Sequence, residues 1–485
     1  MQLTLPYSLE NYIGGTFTGP RNGRYLDNFN PATNEKYSRI PDSDQDDIAD
    51  AVLAAEKAFA LWSTSSVDYR FSVLNKIADS IDEHLDQLAL YETNDTGKPL
   101  SVSRKLDIPR ASSNFRFFAT AILHFSSESH AMSNKAINYT LKQPLGIVGC
   151  ISPWNLPLYL FSWKIAPALA AGNCVIAKPS EVTPVTAYLL DKICKEAGLP
   201  DGVLNIVHGT GKSCGEAIVK HPRIKAISFT GSTRAGSQIA SIAAPQFKKL
   251  SLELGGKNPN IIFADCNWDK MMATTLQSSF ANQGQICLCG SRLLVEKTIY
   301  EKFKTEFIER TKHLTPGDPL QENIVQGAIV SKLHYEKILN CIEKAKAEGG
   351  IILTGGKAIK LDGRCANGFF IEPTIIEGLG PGCMTNMEEI FGPVITLQPF
   401  DTEEDALLLA NDSNYGLSAT IWTQDVSRAN RIASKVESGV VWVNCWLLRD
   451  LRTPFGGMKN SGVGREGGWE ALRFFTEAKN VCIEF

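Results

Sequence analysis

The alternation of apolar and polar positions divides the chain into stretches of different texture. Between Ser43 and Trp62, the residues Ile48, Val52, Ala55, Phe59 and Trp62 recur at i, i+4, i+7, i+11 and i+14. That spacing marks one face of a helix, and Ser43 or Asp44 stands where its N-cap is needed. Helical spacing continues to about Thr120. From residue 144 short apolar runs (146–151, 175–177, 203–207, 226–229 and 250–254) alternate with helical segments. The helix between the second and third runs is expected to take Thr183 as N-cap, Pro184 as its first residue and Gly198 as its stop. This repetition predicts a doubly wound parallel sheet, with ligands at the carboxyl ends of its strands. Residues 146–163 carry no charge, but Gly149, Pro153, Asn155 and Pro157 interrupt them, so they read as a buried strand followed by a loop.

A second α/β pattern runs from near Asn260 to about Phe455, with strands expected at 260–263, 292–296, 394–399, 419–422 and 440–444 and helices at 338–347 and 405–411. Near residues 126–142, Ile137, Tyr139 and Leu141 alternate with polar neighbours as in a strand. No internal repeat or low-complexity tract is visible. The fold class is therefore α/β, and 485 residues call for two or three lobes.

Composition narrows the function classes. Lys+Arg 49 against Asp+Glu 52 gives a net charge of −3, which argues against a nucleic-acid or membrane surface as the main partner. The twelve Cys show no CxxC, and no HxxxH is present, so a metal site is not expected. Scattered Cys in a long chain fit a reducing compartment. Residues 1–15 have neither a basic n-region nor an apolar h-region, so no signal peptide is read there and a cytoplasmic protein is expected.

Certain segments carry candidate chemistry. Cys287 lies in Asn282-Gln283-Gly284-Gln285-Ile286-Cys287-Leu288-Cys289, with Cys289 as a competing nucleophile. A Cys is more often a buried apolar residue than a nucleophile. Glu253 ends an apolar strand before Gly255-Gly256, where active sites form in α/β sheets, although a solvated strand end is the plainer reading. Asn155, in the Pro-flanked turn Ser152-Pro153-Trp154-Asn155-Leu156-Pro157, can donate a hydrogen bond to an oxyanion or can serve only the turn.

Together with Ala177-Lys178-Pro179-Ser180-Glu181, Phe229-Thr230-Gly231-Ser232, Leu252-Glu253-Leu254-Gly255-Gly256-Lys257, Gly284-Gln285-Ile286-Cys287, Glu388-Glu389-Ile390-Phe391-Gly392-Pro393 and Pro454-Phe455-Gly456-Gly457, this turn resembles the aldehyde dehydrogenase superfamily in order and spacing. The resemblance covers essentially the whole chain. It implies Cys287 as nucleophile, Asn155 with the Cys287 N–H as oxyanion donors, and Glu253 as the base that activates water. It implies NAD as cofactor, the pyrophosphate lying near Gly231 and Ser232, and Lys178 and Glu181 on the adenine ribose. Glu389 would meet the nicotinamide ribose, with Phe391 packing beside it. Ser152, Trp154 and Ser180 join the expected cofactor residues, as do Gly211 and Gly215 of a GxGxxxG run that departs from the usual dinucleotide fingerprint.

Two further stretches, Asp107-Ile108-Pro109-Arg110 and Asn444-Cys445-Trp446-Leu447-Leu448-Arg449, resemble the branch of the family that oxidises 2-amino- or 2-hydroxymuconic semialdehydes in tryptophan (kynurenine) and aromatic catabolism. Arg110 and Arg449 would then bind the substrate carboxylate, and Asn155 its 2-substituent. A broad aliphatic or retinal dehydrogenase, a coenzyme-A-acylating relative and a non-catalytic protein of the same fold are the alternatives. The resemblance also implies a cofactor domain (1–122 and 144–255), a catalytic domain (256–455) and a β-strand oligomerisation element (123–143 and 456–485), hence a homodimer or homotetramer.

Overall fold

A computed structural model describes residues 3–485; Met1 and Gln2, the start of the stretch read as lacking a signal peptide, lie outside the described residues. The first sheet has eight strands. Its five parallel strands run in the order Leu204–Ile206, Cys174–Lys178, Ile147–Ile151, Ile224–Thr230, Lys249–Glu253. Antiparallel strands flank them, Asn11–Ile13 and Thr16–Thr18 on one edge and Gly462–Val463 on the other. The strand order reverses between Ile147–Ile151 and Ile224–Thr230. A crevice opens outside the carboxyl ends of strands at such a point, and the turns that follow these two strands are the Ser152–Asn155 and Gly231–Ser232 segments.

Capping follows local chemistry. The helix Gln45–Trp62 is capped by Asp44, whose side chain accepts from Asp46 N–H in a capping box completed by Asp47. Thr183 does not cap the next helix of the sheet. That helix runs Val185–Glu196 with Pro184 before it, because Asp95 Oδ2 accepts the Val185 N–H at 2.8 Å while Thr183 Oγ1 donates to Trp154 O. The loop expected after Ile151 is shorter than the sequence suggested. Pro157 opens the buried helix Pro157–Ala170. A proline at the first helical position removes only an N–H that would have no intrahelical partner, so it starts the helix instead of breaking it.

The second sheet has seven strands, ordered Ile351–Thr354, Thr374–Glu377, Val394–Phe400, Gly290–Glu296, Asn258–Ile262, Ser418–Trp422, Val440–Val443, all parallel except the first. Cys287 precedes Gly290–Glu296, so it sits at the amino end of this sheet while Glu253 sits at the carboxyl end of the first. Strands Ser129–Met132, Ala136–Pro144 and Thr476–Glu484 form a separate antiparallel sheet. Between Gly462–Val463 and that sheet, the helix Gly468–Phe474 packs Ala471 and Leu472 into the core of the first lobe. Among the described residues no helix is long and apolar enough to cross a membrane.

A buried charge cluster ties the helices to the site. Gly97 ends the helix Leu85–Thr96 in the left-handed region, φ 75°, and a Cβ there would stand 2.8 Å from that of Ala328. The turn delivers Lys98 into the interior, where Lys98, Glu92 and Asp107 have no exposure. Lys98 Nζ pairs with Asp107, lies 3.6 Å from Glu92 Oε1 and donates to Asn155 O at 3.1 Å. Burial pushes the Glu92 carboxyl up to about 8, against the pull of Lys98, and burial raises Asp107 as well, so the two carboxyls compete for the one buried cation. Removing one partner of a buried pair costs about 3–5 kcal/mol. Lys98→Met is therefore expected to lower the urea midpoint markedly, and an unchanged midpoint would show that the cluster carries no stability.

Candidate active site

Cys287 is presented by a strained loop. After the helix Trp268–Phe280, Asn282 and Gln283 adopt φ of 51° and 55°, a conformation that costs non-glycine residues about 1–3 kcal/mol each. Their side chains hold it: Asn282 Nδ2 donates to Asn155 O at 3.1 Å and Gln285 O at 3.2 Å, and Gln283 Nε2 donates to Ala328 O at 2.9 Å. A side chain at Gly284 is excluded, since its Cβ would lie 2.1 Å from Gly392 O. Asn258 Nδ2 donates to Cys287 O and Cys289 O at 2.6 and 2.9 Å. The two cysteines then differ. Cys287 is partly exposed and lines a cavity on each side, as well as a small one that Cys289 also lines. Cys289 is buried, faces neither of the two larger cavities, and burial pushes its thiol up to about 12. The Cys287 thiol is also raised, by burial and then by the carboxylates Glu389 and Glu253, while Arg449 opposes the shift.

The first cavity, about 690 Å³, is lined by Cys287, Glu253, Arg110 and Arg449 among others. Glu253 ends its strand 4% exposed, and among the described residues neither carboxylate oxygen has a hydrogen-bond partner. Burial, then the charge of Glu466, raise its pKa well above the ordinary carboxylate range, against Lys164, Arg465 and Arg449. Glu466 is itself held by Lys164 at 2.8 Å and Ser228 at 3.1 Å. Asn155 Nδ2 donates to Gln285 O at 2.9 Å, which directs the amide beside the Cys287 loop.

Arg110 and Arg449 approach the same cavity from distant parts of the chain. Among the described residues neither guanidinium pairs with a carboxylate. Arg449 Nη1 donates to Tyr159 Oη at 2.9 Å, and its guanidinium lies over the rings of Phe455 (4.0 Å) and Trp163 (5.3 Å). Arg110 lies over the Tyr159 ring at 5.8 Å. Sequence reasoning missed Tyr159 and Trp163 because their segment read as loop. Helical spacing after Pro157 was the available signal.

The second cavity, about 670 Å³, lies at the crevice of the first sheet and holds Trp154, Asn155, Gly231, Ser232, Gly255, Cys287, His334, Lys337, Glu389 and Phe391. Glu389 Oε1 accepts the Gly256 N–H at 2.9 Å, and burial pushes its carboxyl up to about 7. Phe391, φ 61°, meets the edge of Trp154 at 5.2 Å. His334, left out by the sequence reading, lies 4.9 Å from Trp154 and bonds Phe391 O at 2.7 Å; burial pushes it down to about 4. No local motif marked it. Ser232 caps the helix Thr233–Ala243.

The remaining expected cofactor residues form a group apart from this cavity. Lys178 Nζ, at the end of its buried strand, pairs with Glu181 Oε2 at 3.1 Å, and the Glu181 side chain is 36% exposed. Burial works against the charge of the Glu181 carboxylate, and Lys178, helped by backbone N–H groups including that of Gly211, outweighs it and holds the group in the charged form. A Cβ at Gly215 would contact Lys178 Cδ. Ser180 Oγ accepts from Val182 N–H, and Ser152 N–H donates to Lys178 O at 3.1 Å while its buried hydroxyl has no partner. A capped helix start beside the crevice and a carboxylate at its rim are suited to a dinucleotide.

Comparison with known proteins agrees with this architecture. A model of the aldehyde dehydrogenase family matches residues 17–481. The chain is 49% identical over 479 residues to the 2-aminomuconic semialdehyde dehydrogenase of Danio rerio, covering 98% of each chain. It is 44% identical over 482 residues to the 2-hydroxymuconic semialdehyde dehydrogenase of Pseudomonas sp. (strain CF600), covering 98% of this chain and 99% of that one. The solved structure of an indole-3-acetaldehyde dehydrogenase complexed with NAD+ superposes with a TM-score of 0.97 at 35% identity, over 99% of this chain and 97% of that one. A match of this length, on a chain that joins Cys287 and Glu253 in one cavity, means that the protein belongs to the aldehyde dehydrogenase family.

Proposed function

We propose that the protein oxidises 2-aminomuconate 6-semialdehyde to 2-aminomuconate with NAD, in the cytoplasm, as a step in the breakdown of tryptophan. The observation that carries the substrate is the pair of guanidinium groups, which among the described residues form no ion pair with a carboxylate, in the cavity of Cys287 and Glu253. A terminal carboxylate accepts charge-assisted hydrogen bonds from such groups, which fixes the chain with its aldehyde toward Cys287. The relatives named for 2-aminomuconic and 2-hydroxymuconic semialdehydes support the same class.

Cys287, its thiol proton given up to solvent water, attacks the aldehyde carbon through its sulfur as thiolate, and the new oxyanion accepts from the Asn155 amide and the Cys287 N–H. NAD, when bound, supplies the hydride acceptor. Glu253 then takes a proton from the water that hydrolyses the Cys287 thioester, releasing the acid and the free thiol. Its raised pKa makes it a stronger base than an exposed carboxylate. Lys178, Glu181, Gly211 and Gly215 would hold the adenine ribose, Ser152, Trp154, Ser180, Gly231 and Ser232 the adjoining parts, and Glu389 with Phe391 the nicotinamide side. A carboxylate at Glu181 accepts ribose hydroxyls and repels a 2′-phosphate.

The chain would work as a homodimer or homotetramer. The strand Ser129–Met132 is exposed throughout, and Met132, Ile483 and Phe485 are 50%, 49% and 77% exposed. A small sheet without a covered face is marginal alone, and a second copy would cover it.

NADH formation with the acidic semialdehyde and with hexanal tests the substrate class. A large kcat/KM preference for the acid is expected; Arg110→Ala or Arg449→Ala should raise KM for the acid about tenfold to a hundredfold, and Arg110→Ala should leave hexanal unchanged. Equal effects on both would overturn the clamp. Glu253→Gln should allow one equivalent of NADH and then stall, with steady turnover down about 10²–10⁴-fold. In the wild type kcat should rise with pH through the elevated pKa of Glu253, and the variant should lose that limb. Glu181→Ser should narrow a strong preference for NAD over NADP; comparable kcat/KM for both cofactors in the wild type would refute the ribose assignment.

A further inference from the structure

The two guanidinium groups share one neighbour. Tyr159 is 6% exposed on the helix Pro157–Ala170, its hydroxyl accepting from Arg449 Nη1 at 2.9 Å and its ring lying under Arg110 at 5.8 Å. Its backbone is tied to the helix that carries Arg110. Asn114, four residues beyond Arg110 and fully buried, donates through Nδ2 to Tyr159 O at 3.1 Å and to Ser162 Oγ at 3.0 Å. Arg449 comes from the loop after Val440–Val443, where Asn444 and Leu447 take φ of 55° and 56° and Trp446 Nε1 donates to Leu288 O at 3.0 Å.

The aromatic faces of Trp163 and Phe455 attract the Arg449 cation, but a face holds a guanidinium loosely about the ring normal. Among the described residues the Tyr159 hydroxyl is the one hydrogen-bond acceptor within the chain that fixes the turn of the fork. It uses one of five N–H donors and adds no negative charge, so the others stay available to a substrate carboxylate. A carboxylate in its place would neutralise the site. The Tyr159 ring also gives Arg110 a π face in place of a counter-ion.

Building on the carboxylate-clamp reading above, we propose that Tyr159 is a specificity-determining positioning residue, which sets the spacing and orientation of Arg110 and Arg449 and so selects aldehydes that carry a carboxylate at the far end. It touches no reacting atom. Its loss therefore acts on the binding of the acid and not on Cys287 chemistry.

The test compares wild type, Tyr159→Phe and Tyr159→Leu by steady-state NADH formation with the acidic semialdehyde and with hexanal, and by inhibition with adipate, a saturated six-carbon dicarboxylate. Tyr159→Phe is expected to raise KM for the acid and the inhibition constant for adipate by about five- to tenfold, less than the full worth of a hydrogen bond to a charged group because the aromatic contacts to Arg449 remain, with kcat and all hexanal parameters within twofold. Tyr159→Leu, which also loses the ring, should raise both constants further. An unchanged acid KM and adipate constant in Tyr159→Phe, or an equal rise in KM for hexanal, would overturn the proposal. A wild type that prefers the acid beside an unaffected Tyr159→Phe would overturn this inference alone. A wild type with no preference would overturn the proposed substrate, and this inference with it.

Discussion

The ammonium of Lys98 is the point on which the site is hung. It is fully buried, and a buried charge persists only where partners replace the water it has lost. Asp107 supplies the counter-charge, and the backbone carbonyl of Asn155 accepts a further hydrogen bond at 3.1 Å. Asp107 lies three residues before Arg110, at the start of the helix Ile108–Leu123. One cation therefore fixes both the turn that carries Asn155 and the helix that carries Arg110. Asn282 Nδ2 meets the same Asn155 carbonyl from the second lobe, and Asn155 Nδ2 returns to Gln285 O, so the Cys287 loop is clasped to this turn.

That clasp joins two sheets by opposite ends. Glu253 stands at the carboxyl end of a first-sheet strand, and Cys287 before the amino end of a second-sheet strand. Neither sheet alone holds a complete cavity. The space between them divides at Cys287, with a cation-bearing, largely apolar chamber on one side and the crevice of the first sheet on the other. Burial raises the carboxyls of Glu253 and Glu389 on the two sides, and with them the thiol of Cys287. Arg449 acts in the opposite direction on both Cys287 and Glu253. The chamber that would hold an acid is thus also a source of positive potential for the nucleophile.

Much of the fold was legible because it rests on local signals. The runs 146–151 and 175–177 are apolar throughout, as strands buried on both faces require, and Asp44 is a local cap that needs no distant partner. The reading failed where a distant group overrode a local preference. Thr183 gave up its capping role because Asp95, far back in the chain, reached the Val185 N–H first. Pro157 looked like an interruption, although at a first helical position it is a start, and which of the two it is depends on the chain that follows.

The sequence by itself determined the α/β class, the membership of the family and the identity of Cys287, Glu253, Asn155, Arg110 and Arg449 as candidates, because these depend on residue type, order and spacing. Only the tertiary structure decided that Cys289 faces neither large cavity, that Arg110 and Arg449 converge on Tyr159 from positions far apart in the chain, and that neither meets a carboxylate. The reason is physical. Exposure, counter-ions and π contacts are properties of the surroundings, and those surroundings are assembled from segments that share no proximity along the chain.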